Sequence, residues 1–193
     1  MKKLLMLLVA VSPIISMGQI LPIDSETGEV VFTEVVSVTD SSTKAIDLFY
    51  RAQEFLVDAF KSADNVTQLA NEESGKIIVK GNYEITAPRK VLGSIQNFSI
   101  GTVSFRLDLE VRDGRYRYSF SDFFHTTSTI SGGNVKDELP DESVRLMTKD
   151  YGQDQLSNWD RIKIGTNTII TDLITRLKDK MDVTSEESEE DDW

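Results

Sequence analysis

"RDGRYRYSFSDFFH", residues 112–125, interleaves arginines with tyrosines and phenylalanines in a run that reads as β-strand. Aromatic and cationic side chains on one sheet are what single-stranded nucleic acid stacks on. Asp113-Gly114 argues against that use. A type I′ turn needs positive φ at both central residues, which Asp-Gly tolerates, so this dipeptide between two alternating runs predicts a two-residue β-hairpin. So short a loop sets the register: Arg112 faces Arg115, Val111 faces Tyr116, Glu110 faces Arg117, Leu109 faces Tyr118, Asp108 faces Ser119 and Leu107 faces Phe120. Val111, Tyr116, Leu109, Tyr118, Leu107 and Phe120 then share one face, and their cross-strand pairs contribute roughly 0.2–1 kcal/mol each before burial. That is a core face. The arginines take the opposite face beside Glu110 and Asp108, so the two residue types point apart and no nucleic-acid partner is expected. A register slip of one residue would reverse the argument.

Working outward, Ile100 to Arg112 is the strand that feeds the hairpin. Glu29 to Val38, rich in β-branched residues and preceded by a turn signal at Ser25 to Gly28, is a first strand. Asp40-Ser41-Ser42-Thr43 offers N-cap candidates for a helix ending near Ala63, in which Ala45, Leu48, Phe49, Ala52, Phe55, Leu56 and Ala59 keep three-four spacing. Its other face, Asp47, Arg51, Glu54 and Asp58, reads as solvated surface. Val66 to Leu69 and Lys76 to Thr86, with a turn at Asn71 to Gly75, predict another hairpin, and Pro88 to Gly93 reads as a break. Gly132-Gly133 opens a long irregular insertion over 132–156, with a short helix around Glu142 to Thr148. From Ser157 or Asn158 a last helix keeps Ile162, Thr166, Ile169, Leu173 and Leu177 on one face for about six turns, with Lys178 and Lys180 suited to its C-terminal dipole. The order β-α-β-β-β-β-α predicts an α+β domain, an antiparallel sheet with two main helices packed on one face.

The N-terminus addresses the chain. Lys2 and Lys3, the apolar run Leu4 to Val11 and the small residues Ser16-Met17-Gly18 form a signal peptide over residues 1–18. The apolar run falls short of the roughly 20 residues of a membrane span, so no transmembrane anchor is expected after cleavage. The expected location is the periplasm or cell envelope, with secretion as a further destination. Zero Cys removes disulfides, thiolate metal sites and a cysteine nucleophile. The single His, His125, leaves little material for a zinc site or a Ser-His-Asp triad and reads as an ordinary strand-end residue. Taking the two leader lysines from the chain's formal −11 leaves −13, a poor match to a polyanion. Residues 183–193 form an acidic tail that reads as solvated and disordered, ending in Trp193. Residues 19–182 suffice for a single domain, and no repeat or long linker divides them.

Four segments in order, "LPIDSETGEVVFTEVV" from Leu21, "AIDLFYRAQEFLVDAF" from Ala45, "VTQLANEESGKIIVKG" from Val66 and "RDGRYRYSF" from Arg112, carry a family resemblance. The chain resembles a domain of unknown function with a TATA-binding-protein-like (TBP-like) fold, found in exported proteins of Bacteroidota. The resemblance runs from about Leu21 to Phe124, and the family's C-terminal helix corresponds to Asn158 to Met181. It departs at Phe55, where the family usually has Trp, a change of packing. The resemblance implies a curved antiparallel sheet gripping helices; it implies no DNA binding, because function belongs to sites, and it brings no catalytic residues.

The leading functional reading is an exported, non-catalytic domain that binds a protein, glycan or envelope partner through a sheet face or the 132–156 insertion. The alternative is a small apolar ligand or lipid held between the C-terminal helix and the sheet, in a pocket lined by Leu107, Leu109, Tyr118 and Ile170. An enzyme would have to draw on Glu138, Asp141 and Glu142 with Tyr151, spaced acids that so acidic a chain places together by chance. No catalytic residue, metal ligand or cofactor is assigned.

Overall fold

The computed structural model describes residues 21–60, 67–127, 131–135 and 158–182. The elements are β1 (Phe32–Ser37), α1 (Ala45–Ala59), β2 (Thr67–Asn71), β3 (Lys76–Val91), β4 (Ser94–Arg112), β5 (Arg115–Thr126), β6 (Ser131–Asn134) and α2 (Asn158–Met181). They form one curved antiparallel sheet in the order β1-β5-β4-β3-β2, and β6 follows β1 along the free edge of β5. The expected α+β order holds, with one added strand: Gly132-Gly133 lies inside β6. The glycine pair reads as loop in sequence because strand propensity is low there, while pairing to Phe124–Thr126 imposes the strand. The expected leader, the expected short helix around Glu142 to Thr148 with the rest of the segment beyond Val135, and the acidic C-terminal segment lie outside the described residues.

The hairpin register is the one its Asp-Gly turn dictates, from Arg112 opposite Arg115 to Leu107 opposite Phe120. The inward set, Leu107, Leu109, Val111, Tyr116, Tyr118 and Phe120, is buried. Over it lie Leu48, Phe49, Ala52, Phe55 and Leu56 of α1. Trp159, Ile162, Thr166, Ile170, Leu173, Leu177 and Met181 of α2 complete the core. Ile170 takes the fully buried place and Ile169 sits half-buried beside it. At Asp122, with φ +56, a bulge shifts the alternation of β5 by one residue. Phe123 and His125 therefore face the core while Phe124 faces out.

The turn does more than reverse the chain. Asp113 Oδ1 accepts the Ala45 backbone N–H at 2.9 Å, Gly114 N–H donates to the Thr43 carbonyl at 2.9 Å, and the Gly114 carbonyl accepts from Val38 N–H at 3.1 Å. None of the expected caps in Asp40 to Thr43 serves α1. Its N-cap is Lys44, which makes no side-chain cap bond, and Asp113 satisfies the first helical amide from across the layers. Asp40 instead closes a local turn with the Ser42 amide and hydroxyl.

The charged face of α1 is only partly solvated surface. Lys180 bridges Glu54 at 3.1 Å and Asp58 at 3.4 Å, Arg51 Nη1 donates to the Met181 carbonyl at 2.9 Å, and Arg176 Nη2 donates to the Asp58 carbonyl at 2.9 Å. Such exposed pairs stabilise weakly one by one, but together they orient α2 beside α1. At the other flank Lys178 reaches Glu34 at 2.6 Å, and Glu34 also accepts the Tyr118 hydroxyl at 2.7 Å.

Gly114→Ala tests the clasp. The residue has φ +71, and a Cβ there would stand 2.7 Å from the Ser41 carbonyl. Urea unfolding should show a loss above about 2 kcal/mol. Asp113→Asn, which keeps an acceptor for Ala45, should cost less than Asp113→Ala. Equal behaviour of those two variants would mean that the cap contributes nothing.

Candidate functional site

β3 and β4 continue well past their neighbours. β2 leaves β3 at Val79 and β5 leaves β4 at Thr102, yet the β3–β4 ladder runs on from Thr86 opposite Ser99 to Val91 opposite Ser94. No other described strand pairs with this arm, whose six residues per strand reach about 20 Å. Pro88 to Gly93 is thus no break. Pro88 lies where β3 is an edge strand, so its missing N–H costs no ladder bond, and Leu92-Gly93 closes the arm with φ +50 and +87. The turn was illegible because Leu, unlike Asn or Asp, carries no signal for positive φ.

The arm exposes apolar groups that a solvated hairpin does not need. Leu92 is fully exposed, Ile95 is 66% exposed and Phe98 37%. The Arg89 guanidinium sits 5.7 Å from the centroid of the Phe98 ring, with Lys90 next in sequence. From Ile85 to Leu107 the sequence holds no acidic residue, in a chain of formal charge −11. The arm is a basic, apolar projection on an acidic body.

Its root is built around His125. Between the Ile85–Gly101 and Thr86–Ser99 pairs, Ile100 is an extra residue, a bulge that re-aims the ladder as it leaves the sheet. His125, fully buried, donates from Nε2 to the Ile100 carbonyl at 3.0 Å, with its ring edge-on to Trp159 at 6.3 Å between centroids. Gly101, at φ +131, lets that imidazole approach; any Cβ would overlap Nε2. His125 is therefore a buried fastener and not an ordinary strand-end residue; the Asp122 bulge, invisible in the sequence, turns it inward. Its Nδ1 has no hydrogen-bond partner among the described residues, and burial holds the imidazole below the usual histidine range, partly offset by the bond to Ile100.

Leu107, Leu109, Tyr118 and Ile170 all lie in the packed core between α2 and the sheet. Leu107, Leu109 and Ile170 are wholly buried, and the Tyr118 hydroxyl is engaged by Glu34. A neighbouring recess of about 430 Å³ opens between α2 and β3, lined by Phe60, Tyr83, Phe105, Ile169, Leu173 and Arg176 among others. Beside it the Tyr83 and Thr166 hydroxyls are neighbours deep in the protein without a bond of normal geometry. Burial pushes the Tyr83 phenol upward, so it stays neutral. On the outer sheet face Arg117 donates to Glu110 at 2.9 Å and Arg106 to Asp108 at 2.6 Å. Arg112 and Arg115 stand exposed across the turn, beside a shallow recess of about 320 Å³ with Val35 in its wall. Glu138, Asp141, Glu142 and Tyr151 lie outside the described residues. Among the described residues no group of three or more His, Cys, Asp or Glu could hold a metal, and no helix is long and apolar enough to cross a membrane.

Residues 32–126 match the model of a family described as a domain of unknown function (DUF4468) with TBP-like fold. A crystal structure of a TBP-like protein from Parabacteroides distasonis ATCC 8503 superposes with a TM-score of 0.59 at 13% identity, covering 84% of this chain and 97% of that one. A DUF4468 family protein from Bacteroides ovatus ATCC 8483 superposes at 0.61 with 12% identity, covering 86% and 92%. These likenesses show the fold. No curated protein matches the chain.

Because burial depresses the folded-state pKa of His125 below 6.5, the unfolded chain binds the extra proton first. The resulting stability is complete well above pH 6.5 and falls as pH drops from there to the lowered pKa, by at most about 1.4 kcal/mol per pH unit. His125→Gln, which keeps a donor for Ile100, should flatten the melting-temperature slope between pH 7 and 5. Separately, Leu92→Asn puts the favoured residue at the positive-φ turn position and should leave the melting temperature unchanged or raise it; a drop would show that the Leu92 side chain supports the fold.

Proposed function

We propose that the chain, whose residues 32–126 match the model of the DUF4468 family of domains with TBP-like fold, is an exported, non-catalytic binding module whose contact element is the β3–β4 arm. The observation that carries this reading is the exposure of Leu92 and Ile95 at the end, and of Phe98 nearer the root, of a ladder that no other described strand covers. A two-stranded ribbon is marginal in water, and apolar residues at its tip are a liability unless something covers them. The core offers no such burden, since its aromatic side chains are consumed by packing against α1 and α2. Export rests on the leader-like residues 1–18, which support a covering partner in the periplasm, the cell envelope or outside the cell.

A narrower second reading rests on the recess of about 430 Å³ between α2 and β3, where Phe60, Tyr83 and Phe105 would face a small apolar ligand. Gentle native mass spectrometry would find that ligand as an added mass.

Fractionation tests the arm. Expressed with its own leader in a Bacteroidota host, the protein should sediment with the envelope, and a Leu92→Ser/Ile95→Ser/Phe98→Ser variant should move to the soluble exported fraction. Retention of that variant at the wild-type level would remove the arm as the contact element, and a cytoplasmic wild-type protein would remove export.

A further inference from the structure

We infer that the surface the arm enters is an anionic lipid bilayer; this rests on the arm being the contact element proposed above. The distribution of its apolar groups separates lipid from protein. Strand alternation puts Val91 and Phe98 on one face of the ribbon and Ile95 on the other, with Leu92 at the end. A protein groove is met by one apolar face, as when an added strand presents alternate side chains to its receptor. A wedge that is apolar on both faces suits a medium that surrounds it.

Charge follows the same geometry. Lys90 pairs directly with Ile95 and Arg89 with Gln96, so the two cations lie on opposite faces, two and three residues behind Leu92. At about 3.3 Å per residue they sit roughly 7–10 Å from the tip, which is the headgroup level when apolar residues reach the acyl boundary. Phe98, opposite Ala87 and about 16 Å behind the tip, lies beneath the Arg89 guanidinium and backs that cation from the root side. Depth is limited to that zone, because the outer edges of a two-stranded ribbon carry unpaired backbone groups that cannot enter hydrocarbon. The acidic body is no obstacle. An arm of about 20 Å holds it beyond the Debye length of about 8 Å at physiological salt, while Arg89 and Lys90 meet the anionic surface.

The turn residue points the same way. Leu92 occupies a φ of +50 that Asn would adopt at lower cost, so the position is set against local folding preference, the pattern expected where a side chain is needed for contact.

The experiment is flotation of the purified mature chain with vesicles of phosphatidylethanolamine and phosphatidylglycerol, compared with vesicles of phosphatidylcholine alone. Binding should be roughly tenfold or more tighter on the anionic vesicles and should weaken with salt. Leu92→Asn should lose roughly tenfold or more with its melting temperature intact, and Arg89→Gln/Lys90→Gln should erase the preference for anionic lipid. Equal binding to both vesicle types, or full binding by Leu92→Asn, overturns the inference. So does arm-dependent envelope retention without vesicle binding; that result leaves the binding-module reading in place and makes the partner a protein.

Discussion

Three hydrogen bonds between the Asp113-Gly114 turn and the β1–α1 connection tie the sheet register to the position of the first helix. Without a fixed register Tyr116, Tyr118 and Phe120 could face either side of the sheet, since a slip of one residue exchanges the faces. Without the Asp113 carboxylate the first amide of α1 would lack its partner, because Lys44 supplies none. One dipeptide thus sets both which residues are core and where the helix that covers them begins. The Ala45 N–H bond, followed by the Lys44 contact, holds the Asp113 carboxyl below its ordinary range, so the clasp persists until the medium is more acidic than that range.

The opposite end of β4 is organised by a different constraint. There the Asp122 bulge turns His125 inward, the Ile100 bulge re-aims the β3–β4 ladder just past the end of its pairing with β5, and Gly101 makes room for the imidazole that joins the two. The sheet body ends where His125 binds Ile100, and the arm begins. Packing is complete on the body side of that junction and ends on the arm side at Ala87, the last buried residue before the tip, which is why the arm, rather than the core, carries the unexplained apolar surface.

Local chemistry explains what the sequence made legible. The Asp-Gly turn, the alternation around it and the three-four spacing of both helices each follow from nearest-neighbour geometry, and all are found in place. The arm was hidden because its turn is Leu92-Gly93 and because Pro88 breaks strands everywhere except at an edge, a condition that depends on where β2 ends. His125 was hidden because a bulge changes the parity of everything after it. The α1 cap was missed since its acceptor comes from sixty-eight residues further along the chain, beyond the reach of any local capping rule. The segments Lys76 to Thr86 and Ile100 to Arg112, read as separate strands, are the covered parts of two much longer ones.

Binding through the arm requires its tip to leave water. Hydrogen exchange of the backbone amides, with and without anionic vesicles, reads this residue by residue. Protection confined to about Arg89 through Gln96, with the body amides unchanged, is the predicted result. Unchanged exchange across the arm under conditions where the protein is bound, with protection appearing on the Arg112–Arg117 face instead, would contradict it.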